Sequence, residues 1–320
     1  MLRLERVHIV RFRGILEGTI EGLADVNIFV GRNNSGKSTV AEAIVRLAAG
    51  ALVQAMGGDP DSDPRARQKI DPWSRTRTGY LENWYRSDQT QPWQIAGRIG
   101  STEFAVQQPM PPPTGRRPVG QQPPGSSAER AFLDALAFFL PQDANDANIE
   151  RAAWPSVLAH RQDKLLTTGL QDLFHLPAEQ LQLLPDGQLM LLLPDHGVSL
   201  QAQGEGVRAA LRCLIRLTPL QRTLFILEHP ESHQHPGSLV RFAATLCKQA
   251  GQAEVQLLVT THSIECVKAF LDGADAAKSE TAVFHLGLSD GLLAVRRLEA
   301  STARTLQGNG TDVRLLDLYA

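Results

Sequence analysis

The residues best suited to chemistry in this 320-residue chain lie in one short stretch, Gly31-Arg32-Asn33-Asn34-Ser35-Gly36-Lys37-Ser38-Thr39. It fits the spacing G-x-x-x-x-G-K-[ST] in full, between the apolar run Val26 to Val30 and a helical pattern that starts near Val40. Gly31 and Gly36 let the backbone fold around an anion, with the amides of Arg32 to Ser35 and the positive end of the following helix pointing at it. In that pattern Lys37 reaches the β- and γ-phosphates of a nucleotide, Ser38 is a ligand for Mg²⁺, and Thr39 adds a hydroxyl near the α-phosphate.

A phosphate loop needs a metal-side acid before it can hydrolyse anything. The stretch "TLFILEHPESHQHP" from Thr223 to Pro236 offers one, an apolar strand ending in Glu228 in the Walker B arrangement. "VTTHS" from Val259 to Ser263 follows the next apolar strand and places His262 where the chain turns at a strand's carboxyl edge, the binding crevice of an open α/β sheet. His229, His233 and His235 lie close in sequence to Glu228 and Glu231, a composition that also has the ingredients of a metal site.

The elements that must hold these residues follow from the hydrophobic periods. Leu2 to Phe12 alternates apolar and charged residues, a half-buried strand, and further strands are expected near Gly18 to Ile20 and at Val26 to Val30. The helix after the phosphate loop is expected to stop near Ala48-Ala49-Gly50. Trp93 to Gly100 and Thr102 to Val106 read as a hairpin, Ala128 to Leu140 as helix, and Leu181 to Leu193 as a hairpin turning at Pro185-Asp186-Gly187. From Gly206 onward helix and strand alternate: helix to Leu217, strand Thr223 to Leu227, helix Gly237 to Gln249, strand Val255 to Thr260, helix Ile264 to Leu271, then strands near 282–286 and 292–295. Such alternation predicts parallel strands joined by helical crossovers.

Composition excludes several classes. Lys+Arg 32 against Asp+Glu 34 gives a net charge of -2, so any polyanion would have to meet a local patch. The first residues mix charge with apolar side chains and form no signal-peptide core, no run approaches the ~18 apolar residues of a membrane span, and Cys213, Cys247 and Cys266 lack CxxC spacing. The expectation is a soluble cytoplasmic protein with no membrane partner. Between Arg65 and Arg86, basic residues (Arg65, Arg67, Lys69, Arg75, Arg77, Arg86) interleave with Trp73, Tyr80, Trp84 and Tyr85, the components of a nucleic-acid surface or of a solvated helical face.

Together, "IVRFRGI" (Ile9 to Ile15), "GRNNSGKST", "QGEGVRAAL" (Gln203 to Leu211), "ILEHPESHQHP" and "VTTHS" resemble the ABC-type ATPases of the chromosome-maintenance, recombination-repair and OLD group. The string Pro230-Glu231-Ser232-His233-Gln234-His235-Pro236 is most similar to the OLD-like branch, in which the two histidines accompany the loop after Walker B without zinc. The resemblance implies an α/β P-loop NTPase fold of the ABC type, with a mixed sheet whose N-terminal part is antiparallel and with flanking helices. It implies one ATPase domain over residues 1–320, with 50–158 an inserted helical and loop region that includes a Pro-rich loop at about 107–127.

By the same resemblance the cofactors are ATP and Mg²⁺, and Gly204, Glu205 and Gly206 form the signature loop that meets the nucleotide of a second copy. Glu228, His229, Glu231 and His262 are the catalytic candidates. The γ-phosphate-sensing glutamine is expected at Gln162, as a metal-side and nucleotide-side ligand after a strand in "SVLAHRQDKL", with Arg161, Gln107 and Gln108 as rivals.

Two departures stand out. His229 occupies the place of the usual catalytic glutamate, which points to slow turnover unless an imidazole or Glu231 serves instead, and Gln203 precedes the signature glycine where transporters have serine. The expected partners are a second copy, DNA, and an effector such as a nuclease. About sixty residues follow His262, too few for the Toprim domain of OLD nucleases, so the nuclease is expected on a separate polypeptide. The functions implied are DNA metabolism or anti-phage defence, a nucleotide-gated scaffold, or, less in keeping with the motifs, a transporter ATPase.

Overall fold

The computed structural model describes residues 1–55, 91–108 and 125–318. β1 (Leu4–Phe12) and β2 (Ile15–Glu21) form a hairpin, and β3 (Val26–Val30) leads through the phosphate loop into α1 (Lys37–Ala55). Next come β4 (Trp93–Ile99), β5 (Thr102–Gln108), α2 (Ser127–Asp134), β6 (Ala137–Phe139), α3 (Asn148–Ala159) and α4 (Asp163–Phe174). A small meander of β7 (Gln180–Leu183), β8 (Leu189–Leu192) and β9 (Gly197–Ser199) precedes α5 (Glu205–Leu217). The chain then runs β10 (Leu224–Glu228), α6 (Pro236–Gln252), β11 (Gln256–Thr260), α7 (Ile264–Ala276), β12 (Thr281–Ser289), β13 (Leu292–Glu299) and α8 (Ala300–Gly308).

The main sheet has ten strands in the order β5-β4-β1-β2-β13-β12-β3-β11-β10-β6. β12, β3, β11, β10 and β6 run parallel, while β5, β4, β1 and β2 pair antiparallel, so the sheet is mixed with an antiparallel N-terminal part. The parallel strands are covered on both faces, which is why they read as mostly apolar runs. In β3, Val26, Ile28 and Val30 enter one core, shared with α3 to α7, while Phe29 enters the other, shared with α1 and α2. Asn27 is the polar exception; its side-chain amide accepts from Ala24 N–H and donates to the carbonyls of Ala24 and Leu257, so its burial leaves no orphan.

Three expectations of local structure change. α1 runs five residues beyond Gly50, because that glycine serves packing rather than termination: a Cβ there would lie 2.3 Å from Val106 Cγ1 of β5. The helix expected over 128–140 ends at Asp134, and Ala137–Phe139 becomes an edge strand beside β10, where Phe138 and Phe139 fill opposite cores. The strand expected before Gln162 is the helix α3. The segment between 50 and 158 thus lends β4, β5 and β6 to the main sheet.

Candidate nucleotide site

Five parallel strands end at one edge, and the candidate residues gather there. The phosphate loop follows β3; Glu228 closes β10; Thr261 and His262 follow β11; His285 lies on β12 opposite Val30. Loop closure depends on Gly31, at φ 140°, where a Cβ would lie 2.3 Å from the Leu286 carbonyl oxygen, so no side chain fits. Asn34 also sits at positive φ (64°), and Gly36 at 92° gives the last turn before α1. Glu42 on α1 is buried and bonded by Arg13 Nη2 at 2.7 Å, which ties the β1–β2 turn to the helix that carries the loop.

Lys37 fills the hollow of the loop. It is 4% exposed, and Nζ donates to the carbonyls of Gly31 (2.9 Å) and Arg32 (2.8 Å) and to Ser35 Oγ (3.2 Å). Burial pulls its pKa down to about 8, against the opposing pull of the Glu228 and Glu231 carboxylates. An ammonium held against desolvation, with acids opposite, gains most from a phosphate placed on it.

On the far side of the loop lies a compact group of polar side chains. Glu231 Oε1 accepts from Thr261 Oγ1 (2.7 Å) and His262 N–H (3.3 Å), and His229 Nδ1 is 3.4 Å away. Burial raises the Glu231 pKa, but the hydrogen bonds from His229 and Thr261 outweigh it and keep the group below the usual carboxylate range. The His229 and His262 rings stack, centroids 4.9 Å apart and planes within 9°. His229 stands in the left-handed region (φ 48°, ψ 54°), which costs a non-glycine residue about 1–2 kcal/mol. Its N–H donates to the Thr260 carbonyl at 2.9 Å, which holds that turn beside β11. Burial and the charge of Lys37 lower the His262 pKa, against the opposing pull of Glu231 and the Gly31 backbone.

The structure therefore brings together Gly31 to Thr39, Glu228, His229, Glu231 and His262. Glu205 and Gly206 belong to a neighbouring group: His233 Nδ1 lies 3.3 Å from Glu205 Oε1, Gln234 Nε2 donates to the Gly206 carbonyl at 2.8 Å, and Gly204 caps α5. Within one chain these signature-like residues contact the turn after Walker B, not the phosphate loop. The histidines do not form a metal site: His233 faces the Pro141 carbonyl and Glu205, while His235 caps α6 by accepting from Gly237 N–H. Among the described residues no group of three or more His, Cys, Asp or Glu could hold a metal.

Gln162 lies between α3 and α4, and α4 packs on α5, α6 and β7; the structure does not bring it to the loop. The strand beside Walker B is β6, and it ends in Leu140-Pro141-Gln142 at the same edge as Glu228. Gln142 is thus the glutamine that topology sets beside the site. Its signal in the sequence, "AFFLPQ", is short and continues a helical pattern. Nothing in the sequence marks Asp317 or Arg314 either, yet Asp317 pairs with Arg32 at 3.0 Å and Arg314 Nη1 donates to the His262 carbonyl at 2.6 Å. His285 also went unmarked; burial lowers its pKa while Asp317 opposes that shift.

Solved structures that align with nearly the whole chain include two Smc heads. One is the Smc head domain with an extended coiled coil from Pyrococcus furiosus, bound to the C-terminal domain of ScpA, with TM-score 0.53 and 12% identity over 97% of this chain and 99% of that one. The other is an Smc head bound to the C-winged helix domain of ScpA, with TM-score 0.55 and 12% identity over 94% of this chain and 99% of that one. The chain has the P-loop NTPase fold of an Smc head.

Residues 132–267 of this chain match the family described as "AAA domain, putative AbiEii toxin, Type IV TA system". A stretch of 41 residues is 46% identical to an uncharacterized protein of Methanocaldococcus jannaschii; it spans 13% of this chain and 19% of that protein. Among the described residues no helix is long and apolar enough to cross a membrane.

Proposed function

We propose that the chain is an OLD-like ABC-type ATPase head that binds ATP with Mg²⁺ and hydrolyses it slowly, working as an ATP-gated homodimer. The observation that carries this reading is Lys37, buried in the hollow of a complete phosphate loop with Glu228, Glu231 and His262 around it. The donor set fits the cofactor. Ser38 at the start of α1 and Glu228 at the end of β10 would supply hard oxygen ligands to Mg²⁺, whose other ligands would come from phosphate and water. When bound, Mg²⁺ neutralises charge on the β- and γ-phosphates.

The protein's own residues do the rest. The loop amides and Lys37 orient the phosphates, His262 spans between the loop and the Walker B turn, and Gln142 stands where a sensor of the γ-phosphate is needed. Gly204, Glu205 and Gly206 point to a second copy, whose nucleotide they would complete. An effector such as a nuclease on a separate polypeptide, and a role in DNA metabolism or anti-phage defence, extend the motif resemblance. The basic and aromatic segment from Arg65 to Arg86, which lies outside the described residues, is the proposed DNA contact.

Calorimetry with Mg²⁺–ATP tests the core of the proposal. The parent protein should bind and Lys37→Ala should not, because nothing nearby replaces the ammonium. Equal affinity in the two proteins would remove the loop from nucleotide binding.

A further inference from the structure

Glu231 uses its two oxygens unequally. Three donors converge on Oε1: the Thr261 hydroxyl at 2.7 Å, the His262 amide at 3.3 Å and the His229 ring at 3.4 Å. Oε2 is buried with no hydrogen-bond partner among the described residues. A carboxylate so engaged is a weakened base, since hydrogen bonds to the charged form stabilise it against protonation. It is, however, well placed to fix its neighbour. A carboxylate only accepts, so the 3.4 Å contact is a hydrogen bond only with the ring proton on Nδ1, and in that neutral tautomer Nε2 is an acceptor. Stacking on His262 fixes the plane of the ring.

We infer that His229 and Glu231 form a water-directing pair that replaces the missing glutamate: Nε2 of His229 accepts a hydrogen bond from the attacking water, and Glu231 is the positioning residue that sets the tautomer and the ring. This rests on the nucleotide-hydrolysing reading above. In the step itself the water oxygen bonds to the γ-phosphorus and the bond from that phosphorus to the β–γ bridging oxygen breaks, its electron pair leaving with ADP. The water proton passes to Nε2. The arrangement is the logic of a base oriented by a third group, built from residues one and three positions after Glu228.

The experiment uses the full chain and its variants His229→Ala, His229→Gln, Glu231→Gln and the double variant His229→Ala/Glu231→Gln. Binding of Mg²⁺ with a fluorescent ATP analogue shows whether each variant keeps an intact loop. The expected result is measurable binding in every variant, so that hydrolysis is compared at saturating nucleotide. Hydrolysis should fall about 100-fold or more in His229→Ala, in keeping with the loss of a positioned base. It should fall at least about tenfold in Glu231→Gln, and the double variant should be no slower than His229→Ala, because the two act as one unit. His229→Gln, which keeps an acceptor, should recover part of the loss.

A second readout needs no turnover: ring ¹⁵N spectra of histidine-labelled, nucleotide-free protein should show His229 protonated on Nδ1 in the parent and redistributed in Glu231→Gln. A parent ring protonated on Nε2, multiplying losses in the double variant, or a His229→Ala protein as fast as the parent would each overturn the pair. A parent that binds ATP without hydrolysing it would overturn the water-directing role. A parent that binds no nucleotide would instead remove the functional reading, while the spectra would still report whether Glu231 sets the ring.

Discussion

Lys37 links the geometry of the loop to a measurable proton. Its pKa of about 8 means that roughly one in ten of these side chains is neutral at pH 7, half at pH 8 and about nine in ten at pH 9. A nucleotide phosphate against Nζ favours the ammonium and returns the group toward its ordinary value of 10.5, so binding must take up the missing proton. The sign follows directly: uptake from this group rises from about 0.1 proton at pH 7 to about 0.9 at pH 9, and affinity falls toward tenfold per pH unit above pH 8. Calorimetry of Mg²⁺–ATP binding in buffers of different ionisation enthalpy reads the proton count. Lys37→Arg keeps the charge at every accessible pH, so its weaker binding should show no such rise. Uptake that stays flat between pH 7 and 9 in the parent, or rises equally in Lys37→Arg, would refute the claim that burial in the loop depresses the Lys37 ammonium.

Three further outcomes test the site and its supports. Gln142→Ala should lower ATP hydrolysis at least about tenfold while Gln162→Ala leaves it near the parent value; the reverse order in a steady-state assay would return the sensor to Gln162. Gly206→Ala would place a Cβ 2.7 Å from the His233 carbonyl oxygen, so it should abolish the shift to dimer expected of the parent with ATP and Mg²⁺ while nucleotide still binds; light scattering that shows the same shift in both proteins would separate this glycine from assembly. Gly50→Ala gains about 1 kcal/mol of helix propensity but overpacks Val106, which costs about 1–3 kcal/mol, so urea unfolding should show a net loss of up to about 2 kcal/mol, and a gain would mean that β5 yields.

What the sequence determined by itself was local. The phosphate loop is nine consecutive residues whose function depends on backbone freedom at Gly31 and Gly36, so its letters suffice. The mostly apolar runs at Val26–Val30 and Gln256–Thr260 announce strands covered on both faces, and their alternation with helices sets the parallel half of the sheet.

The tertiary structure decided everything that depends on neighbours far apart in the chain. Gly50 reads as a stop, but Val106 makes it a packing position. Ala137–Phe139 reads as helix, but pairing with β10 makes it strand and sets Gln142 at the edge that Gln162 does not reach. Asp317 reaches Arg32 because residues 313–318 pack against β12, the neighbour of β3, and Glu231 gathers Thr261, His262 and His229 around one oxygen only because β10 and β11 end side by side. A motif is legible where the backbone of one segment does the work; a contact between side chains on different strands exists only once sheet order has fixed which strand ends meet.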